Sequence, residues 1–144
     1  MFAFKQVGLI DAPIEKVFAV ISDFAVIPKW RTDVPGITQI SGTTAIGTTF
    51  LEEVHFMGKK QLLMKVVDFV PNQRIVIEAQ EGMSLLPSQS FLLTVDGKRT
   101  RIDLTVTMQV SGLFKLMQGL LAPRLSKIWA GYFVNLNNFV SSRP

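Results

Sequence analysis

The chain has 144 residues, of which 48% are hydrophobic, 18% charged and none cysteine; its formal net charge is +4. That length suits one domain with a full core, and the surplus of apolar over charged residues excludes disorder. Without cysteine, disulfides, thiolate catalysis and cysteine-ligated metals are excluded together, and the basic residues are too scattered, with no run longer than Lys59-Lys60, for a nucleic-acid surface.

Residues 2–10 read as a first strand, apolar but interrupted by Lys5 and Gln6. Pro13 stands where a helix begins, its fixed φ suiting the first turn. Ile14, Val17, Phe18 and Ile21 follow at helical spacing and form one apolar stripe. Ser22 or Asp23 is placed to cap a second short helix, which ends near Pro28 because a proline pushes the preceding residue out of the α region. Six further strands are predicted, at 36–41, 48–57, 61–70, 74–80, 90–95 and 100–110. Turn signals at Gly58-Lys59-Lys60, Pro71-Asn72 and Asp96-Gly97-Lys98 separate them. In the last strand Ile102, Leu104, Val106, Met108 and Val110 alternate with polar residues, the pattern of a sheet with one buried and one wet face.

From about 113 to 140 the period becomes helical. Leu121, Leu125, Ile128, Trp129, Tyr132, Leu136 and Phe139 share a face, and Pro123 either kinks this helix or marks the start of its regular part. No repeat, linker or low-complexity segment interrupts the chain, which reads as a single domain over 1–144. Its first residues lack the layout of a signal peptide, and no apolar stretch approaches the roughly 18 residues of a membrane span. A cytoplasmic location is the resulting expectation.

This order of elements, with certain residues, carries a resemblance. The residues are Ile10, Ala12, Pro13, Glu15, Val17 and Phe18; Ser22-Asp23; Pro28 and Trp30; Gly47-Thr48-Thr49-Phe50; Asp68-Phe69-Val70-Pro71; and Thr100-Arg101-Ile102. The chain resembles the START-like (SRPBCC) superfamily, and within it the polyketide cyclase/dehydrase and lipid-transport branch. The resemblance implies an α+β helix-grip fold: an antiparallel sheet of about seven strands wrapped around a long C-terminal helix, with two short helices after the first strand. It also implies an internal cavity for a small hydrophobic ligand. Members bind lipids, hormones, pigments and polyketides, and only some catalyse, so the fold does not settle the reaction.

Alternation then assigns the cavity wall. The last strand contributes Leu104, Val106 and Met108 beside Ile102; the strand before it, Phe91, Leu93 and Val95; the strand from Arg74, Ile75 and Ile77. The helix contributes Leu125, Ile128, Trp129, Tyr132 and Leu136. Trp30, Arg31 and Asp33, after the second short helix, stand near the cavity mouth in related folds. At the Gly58 hairpin two registers compete. A two-residue turn pairs Glu52 with Lys65 on an outer face. A three-residue turn at 58–60 groups Phe50, Glu52, Val54 and Phe56 with Leu62, Met64 and Val66, and a shift of one residue exchanges the faces. The resemblance favours the second, since the position of Phe50 points inward in this family.

Glu52 is the sharpest chemical candidate. Facing inward it is a carboxylate among apolar side chains, its pKa raised by desolvation and usable as a general acid or base; facing outward it is a solvated partner of Lys65. Tyr132, the sole tyrosine, is a second catalytic candidate if its hydroxyl meets a ligand or Glu52, and otherwise packs. His55 lies on the face opposite Glu52, and with no second histidine no metal site is expected. Arg31 is read as solvated, with an acidic head group as the other possibility. No triad, phosphate loop or dinucleotide-binding turn is present, and no cofactor is implied. The apolar stretch 113–122 is a candidate lid, dimer contact or peripheral membrane edge, or else covers one end of the sheet.

Three classes of function remain: binding or transport of a lipid, isoprenoid or polyketide-like molecule; a cyclase or dehydratase using Glu52; and an interaction protein with a collapsed cavity. Either a monomer or a homodimer is compatible with the sequence.

Overall fold

The computed structural model describes residues 2–55, 58–82, 86–109 and 112–143. Strand β1 (Phe2–Ile10) leads into helix α1 (Ile14–Ile21) and a 3-10 helix (Phe24–Lys29). Strands β2 (Gly36–Thr38), β3 (Thr49–His55), β4 (Lys59–Val70), β5 (Arg74–Glu81), β6 (Ser88–Asp96) and β7 (Arg99–Met108) follow, and helix α2 (Leu113–Ser142) closes the chain. The seven strands form one antiparallel sheet in the order β1-β7-β6-β5-β4-β3-β2. This is the α+β helix-grip arrangement expected from the sequence.

Most boundaries fall within two residues of the predicted ones, and two differences have local causes. Strand β2 stops at Thr38, not residue 41, because Gln39 turns to φ 55°, outside the extended region. The second short helix is 3-10, retains Pro28, and its N-cap residue Asp23 makes no side-chain capping bond. Val110 and Phe56, both counted in predicted strands, lie outside the described residues.

The alternation of apolar residues puts the core on one face. Phe2, Phe4 and Ile10 of β1, Ile75 and Ile77 of β5, Phe91 and Leu93 of β6, and Ile102, Leu104 and Val106 of β7 are all buried. Val95 departs from this parity: it lies at the hairpin end of β6 and is exposed. The β4–β5 register shifts twice, between Leu63 and Met64 and between Val66 and Asp68, irregularities of the kind that bend a strand. Gly82 follows the end of β5 at φ 122°, and a side chain there would strike the carbonyl of Gln61.

Helix α2 is fastened to β1. The Gln6 side-chain amide donates to the Ser126 carbonyl (2.9 Å), the Ser126 hydroxyl donates to the Lys5 carbonyl (2.7 Å), and the Asp11 backbone N–H donates to Asn137 Oδ1 (2.8 Å). Thus Gln6, which breaks the apolar pattern of β1, is explained by the helix it meets. Further along, the Phe133 ring lies on Gly8. A Cβ at Gly8 would come within 2.7 Å of that ring, so the absence of a side chain sets the helix–sheet distance. The buried stripe of α2 is Trp129, Tyr132, Phe133, Leu136 and Val140.

Candidate functional site

The site begins where α1 and the 3-10 helix deliver the chain to the sheet. The N–H groups of Trp30 and Arg31 both bond the Ile27 carbonyl, at 3.1 and 2.9 Å, prolonging the turn. Trp30 is buried and packs edge-on against Trp129, centroids 6.1 Å apart. Its indole nitrogen is the one sealed side-chain polar atom without a hydrogen-bond partner among the described residues.

Arg31 then turns inward. Its Nε and Nη2 donate to the two carboxylate oxygens of Asp33 at 3.2 and 2.7 Å, and its Nη1 donates to Glu52 Oε1 at 3.0 Å. The guanidinium lies over the Trp129 ring, 4.8 Å from its centroid, and 5.9 Å from that of Tyr132. The reading of Arg31 as a solvated residue is therefore corrected: it is 5% exposed. Carboxylates on two sides and an aromatic face on a third hold it, an arrangement that a planar fork of donors favours.

Glu52 arrives from β3. The β3–β4 register sets Glu52 opposite Leu62 and Phe50 opposite Met64, with His55 opposite Lys59. Glu52 thus shares the inner face with Phe50, Val54, Leu62 and Met64, and Lys65 pairs with Thr49 instead. The facing is that of the second of the two sequence registers, but the turn it expected at 58–60 does not form, since Lys59 and Lys60 belong to β4 and pair with His55 and Val54. Phe50 is held by a stacked contact with Phe24, centroids 4.2 Å apart.

Burial pushes the Glu52 carboxyl above its usual range; Arg31 opposes this and Asp33 adds to it. For Arg31, burial acts to lower the pKa, but Glu52 and Asp33 outweigh it and the group stays charged. Burial and then Asp33 raise the Tyr132 hydroxyl, so it remains protonated.

Beside this cluster lies a cavity of about 70 Å³. Its apolar lining is Phe4, Val54, Leu62, Pro87, Val106, Met108, Leu125 and Trp129, and its polar lining is Arg31, Asp33, Glu52 and Gln89. Of the residues expected from sequence, Glu52, Val54, Leu62, Val106, Met108, Leu125 and Trp129 meet at this cavity. Trp30, Phe50, Met64, Val66, Ile75, Ile77, Phe91, Leu93 and Leu104 are buried in the packed core around it. Tyr132 is buried against Trp129 and Arg31.

Ile128 is 47% exposed and points away from the sheet, because the inward stripe of α2 runs through Trp129, Tyr132, Phe133 and Leu136. Leu116 and Leu120, 84% and 71% exposed, do not cover the end of the sheet. His55 is exposed, on the side opposite Glu52. Sequence reasoning missed Phe4 and Gln89, and it placed Asp33 near the cavity mouth without joining it to Arg31. Parity gives a signal for Phe4, which follows Phe2, and for Gln89, which precedes Phe91 and Leu93; a residue in an irregular turn gives none. No cluster of three or more metal-ligating side chains occurs among the described residues, and no helix among them is long and apolar enough to cross a membrane.

A seven-stranded antiparallel sheet holding a long C-terminal helix over a small, partly polar cavity defines a START-like protein. The chain belongs to the family described as polyketide cyclase / dehydrase and lipid transport, which matches residues 1–133. No curated protein matches the sequence. Solved structures share the fold at low identity. A protein of Thermus thermophilus superposes with a TM-score of 0.80 at 18% identity, covering 98% of this chain and 99% of that one. A START superfamily protein from Mycobacterium smegmatis gives 0.72 at 18%, covering 94% and 99%. An aromatase/cyclase from a Streptomyces species gives 0.78 at 14%, covering 98% and 94%.

Proposed function

We propose that this protein binds a small, largely apolar molecule of lipid, isoprenoid or polyketide-like kind between the sheet and α2. The observation that carries this reading is the cavity itself: apolar on most sides, with a buried, hydrogen-bonded ion pair on one. Such a pocket, apolar with a few convergent polar groups, is the usual form of a small-molecule site. Its roughly 70 Å³ is under half of the roughly 150 Å³ apolar cavity that admits benzene. A ligand of the proposed size therefore widens it, and Met108 and Leu125, flexible side chains on its wall, are the ones to give way. Native mass spectrometry of the purified protein, with displacement of an apolar fluorescent dye, tests the reading. A co-purifying small molecule or displaceable dye supports it; neither, at ligand solubility limits, ends it.

A second reading has its own support. Glu52 borders the cavity with its pKa raised, the state suited to moving a proton at a ligand carbon or hydroxyl. In a cyclase or dehydratase, Glu52 is the general acid or base, Arg31 positions it, and Tyr132 adjoins them. Turnover of a polyketide-like substrate that Glu52→Gln abolishes, with dye binding retained, would establish this reading; turnover unaffected by that change would remove it.

A further inference from the structure

The polar side of the cavity has an unusual charge count. One cation, Arg31, meets two carboxylates, and each of its three nitrogens donates to one of them. Among the described residues no other Lys, Arg or His borders the cavity. With both acids ionised this wall carries one net negative charge. With a proton on Glu52 it is neutral. The remaining polar contacts also favour a neutral group. Glu52 Oε1 accepts from Arg31, while Oε2 has no hydrogen-bond partner among the described residues and is not fully enclosed, and Glu52 lines the cavity. The buried Gln89 side chain, from β6, also lines the cavity, and an amide both donates and accepts.

Building on the ligand-binding role above, we infer that the polar end of the ligand is a neutral hydroxyl, alcoholic or phenolic, received by Glu52 Oε2, and that the site rejects a carboxylate. A hydroxyl is both donor and acceptor, so it donates to Glu52 when that group is ionised and accepts from it when protonated. A carboxylate would face Asp33 and Glu52 with no unshared cation, and like charges so placed are strongly repulsive. A purely apolar end would leave Oε2 and the Gln89 amide unanswered once water is expelled. Arg31 is thus a positioning residue that fixes Glu52, not the receptor of an acidic head group.

The test compares 2-naphthol, 2-naphthoate and naphthalene at neutral pH by displacement of a bound apolar dye. 2-Naphthol should bind most tightly, with 2-naphthoate weaker by about tenfold or more. Glu52→Gln, which leaves Arg31 facing one carboxylate, should narrow that gap by strengthening 2-naphthoate; Asp33→Asn, altering the more exposed carboxylate, should do the same and serves if the first variant folds poorly. Naphthoate binding the wild type as tightly as naphthol overturns the inference, as does an unchanged gap in the variants. Equal binding of naphthalene and naphthol overturns the hydroxyl preference while leaving a ligand cavity. Failure of the dye itself to bind overturns the ligand-binding reading, and this inference falls with it.

Discussion

Arg31 and Glu52, 21 residues apart in sequence, meet at 3.0 Å with side chains only 6% and 2% exposed. Neither residue belongs to the other's local structure. One ends an irregular turn and the other sits mid-strand, so their meeting fixes how the 3-10 helix docks on the sheet. Desolvating two charges offsets most of what their attraction provides, but removing one partner strands the other.

Arg31→Met should therefore be among the most destabilising single changes, by about 3–5 kcal/mol, since it leaves Glu52 buried without a cation. Combining it with Glu52→Leu should recover most of that loss. Urea unfolding of wild type, both single variants and the double variant gives the coupling; simple additivity would show that the pair does not act as a unit.

The raised pKa of Glu52 predicts a pH dependence. Between the unfolded value near 4.3 and the folded value, the native state binds more protons than the unfolded chain. Wild-type stability should thus fall as pH rises through that window, by at most about 1.4 kcal/mol per pH unit, and then level off. Glu52→Gln lacks this component. Thermal melts from about pH 4 to 8 should show the wild type losing stability relative to the variant as pH increases, whereas parallel curves would mean that the carboxyl titrates normally.

Gly8→Ala should push α2 away from β1, because the added methyl would meet the Phe133 ring at 2.7 Å. A cost of about 1–3 kcal/mol is expected, typical of overpacking. Phe133→Leu in the same chain should recover part of it, and denaturant midpoints of the three variants decide. An unaffected Gly8→Ala protein would show that the helix rides further from the sheet.

Val106→Phe should fill the cavity next to Glu52. Dye binding should be lost while the fold persists with a change of about 1–3 kcal/mol. Retained dye binding would locate the ligand elsewhere, for example in the hollow between Glu78 and Gln109 that shares Pro87 and Met108 with this cavity.

The sheet is legible in the sequence because alternation is a local signal. Phe91 and Leu93, or Leu104 and Val106, announce their face by parity alone, and all four are buried. Glu52 is legible only to within a register: its face depends on a hairpin whose turn length the sequence leaves open, and pairing with Leu62 resolves it. Arg31 and Asp33 are not legible as a pair. They follow a 3-10 helix where no period marks inward from outward, and a buried arginine is recognised only by its partners. Ile128 escapes for a related reason: next to Trp129 it fits an apolar helical face equally well, and only the fastening of Gln6 to Ser126 and of Asp11 to Asn137 sets the rotation of α2.

That fastening joins residues 120 and 126 positions apart, which bears on how the molecule is born. During synthesis the hairpins from β2 to β6 can form in the order in which they emerge, but β1 must wait for β7, and the part of the inner face that α2 covers stays bare until residues 129–140 arrive. Folding should accordingly be slow for the chain's size, as for other proteins dominated by distant pairings. Pulsed hydrogen exchange should find the amides of β1 protected last, together with those of α2. For the nascent polypeptide, the long interval between the first strand and its cover is the period of greatest exposure to aggregation and of greatest need for a chaperone.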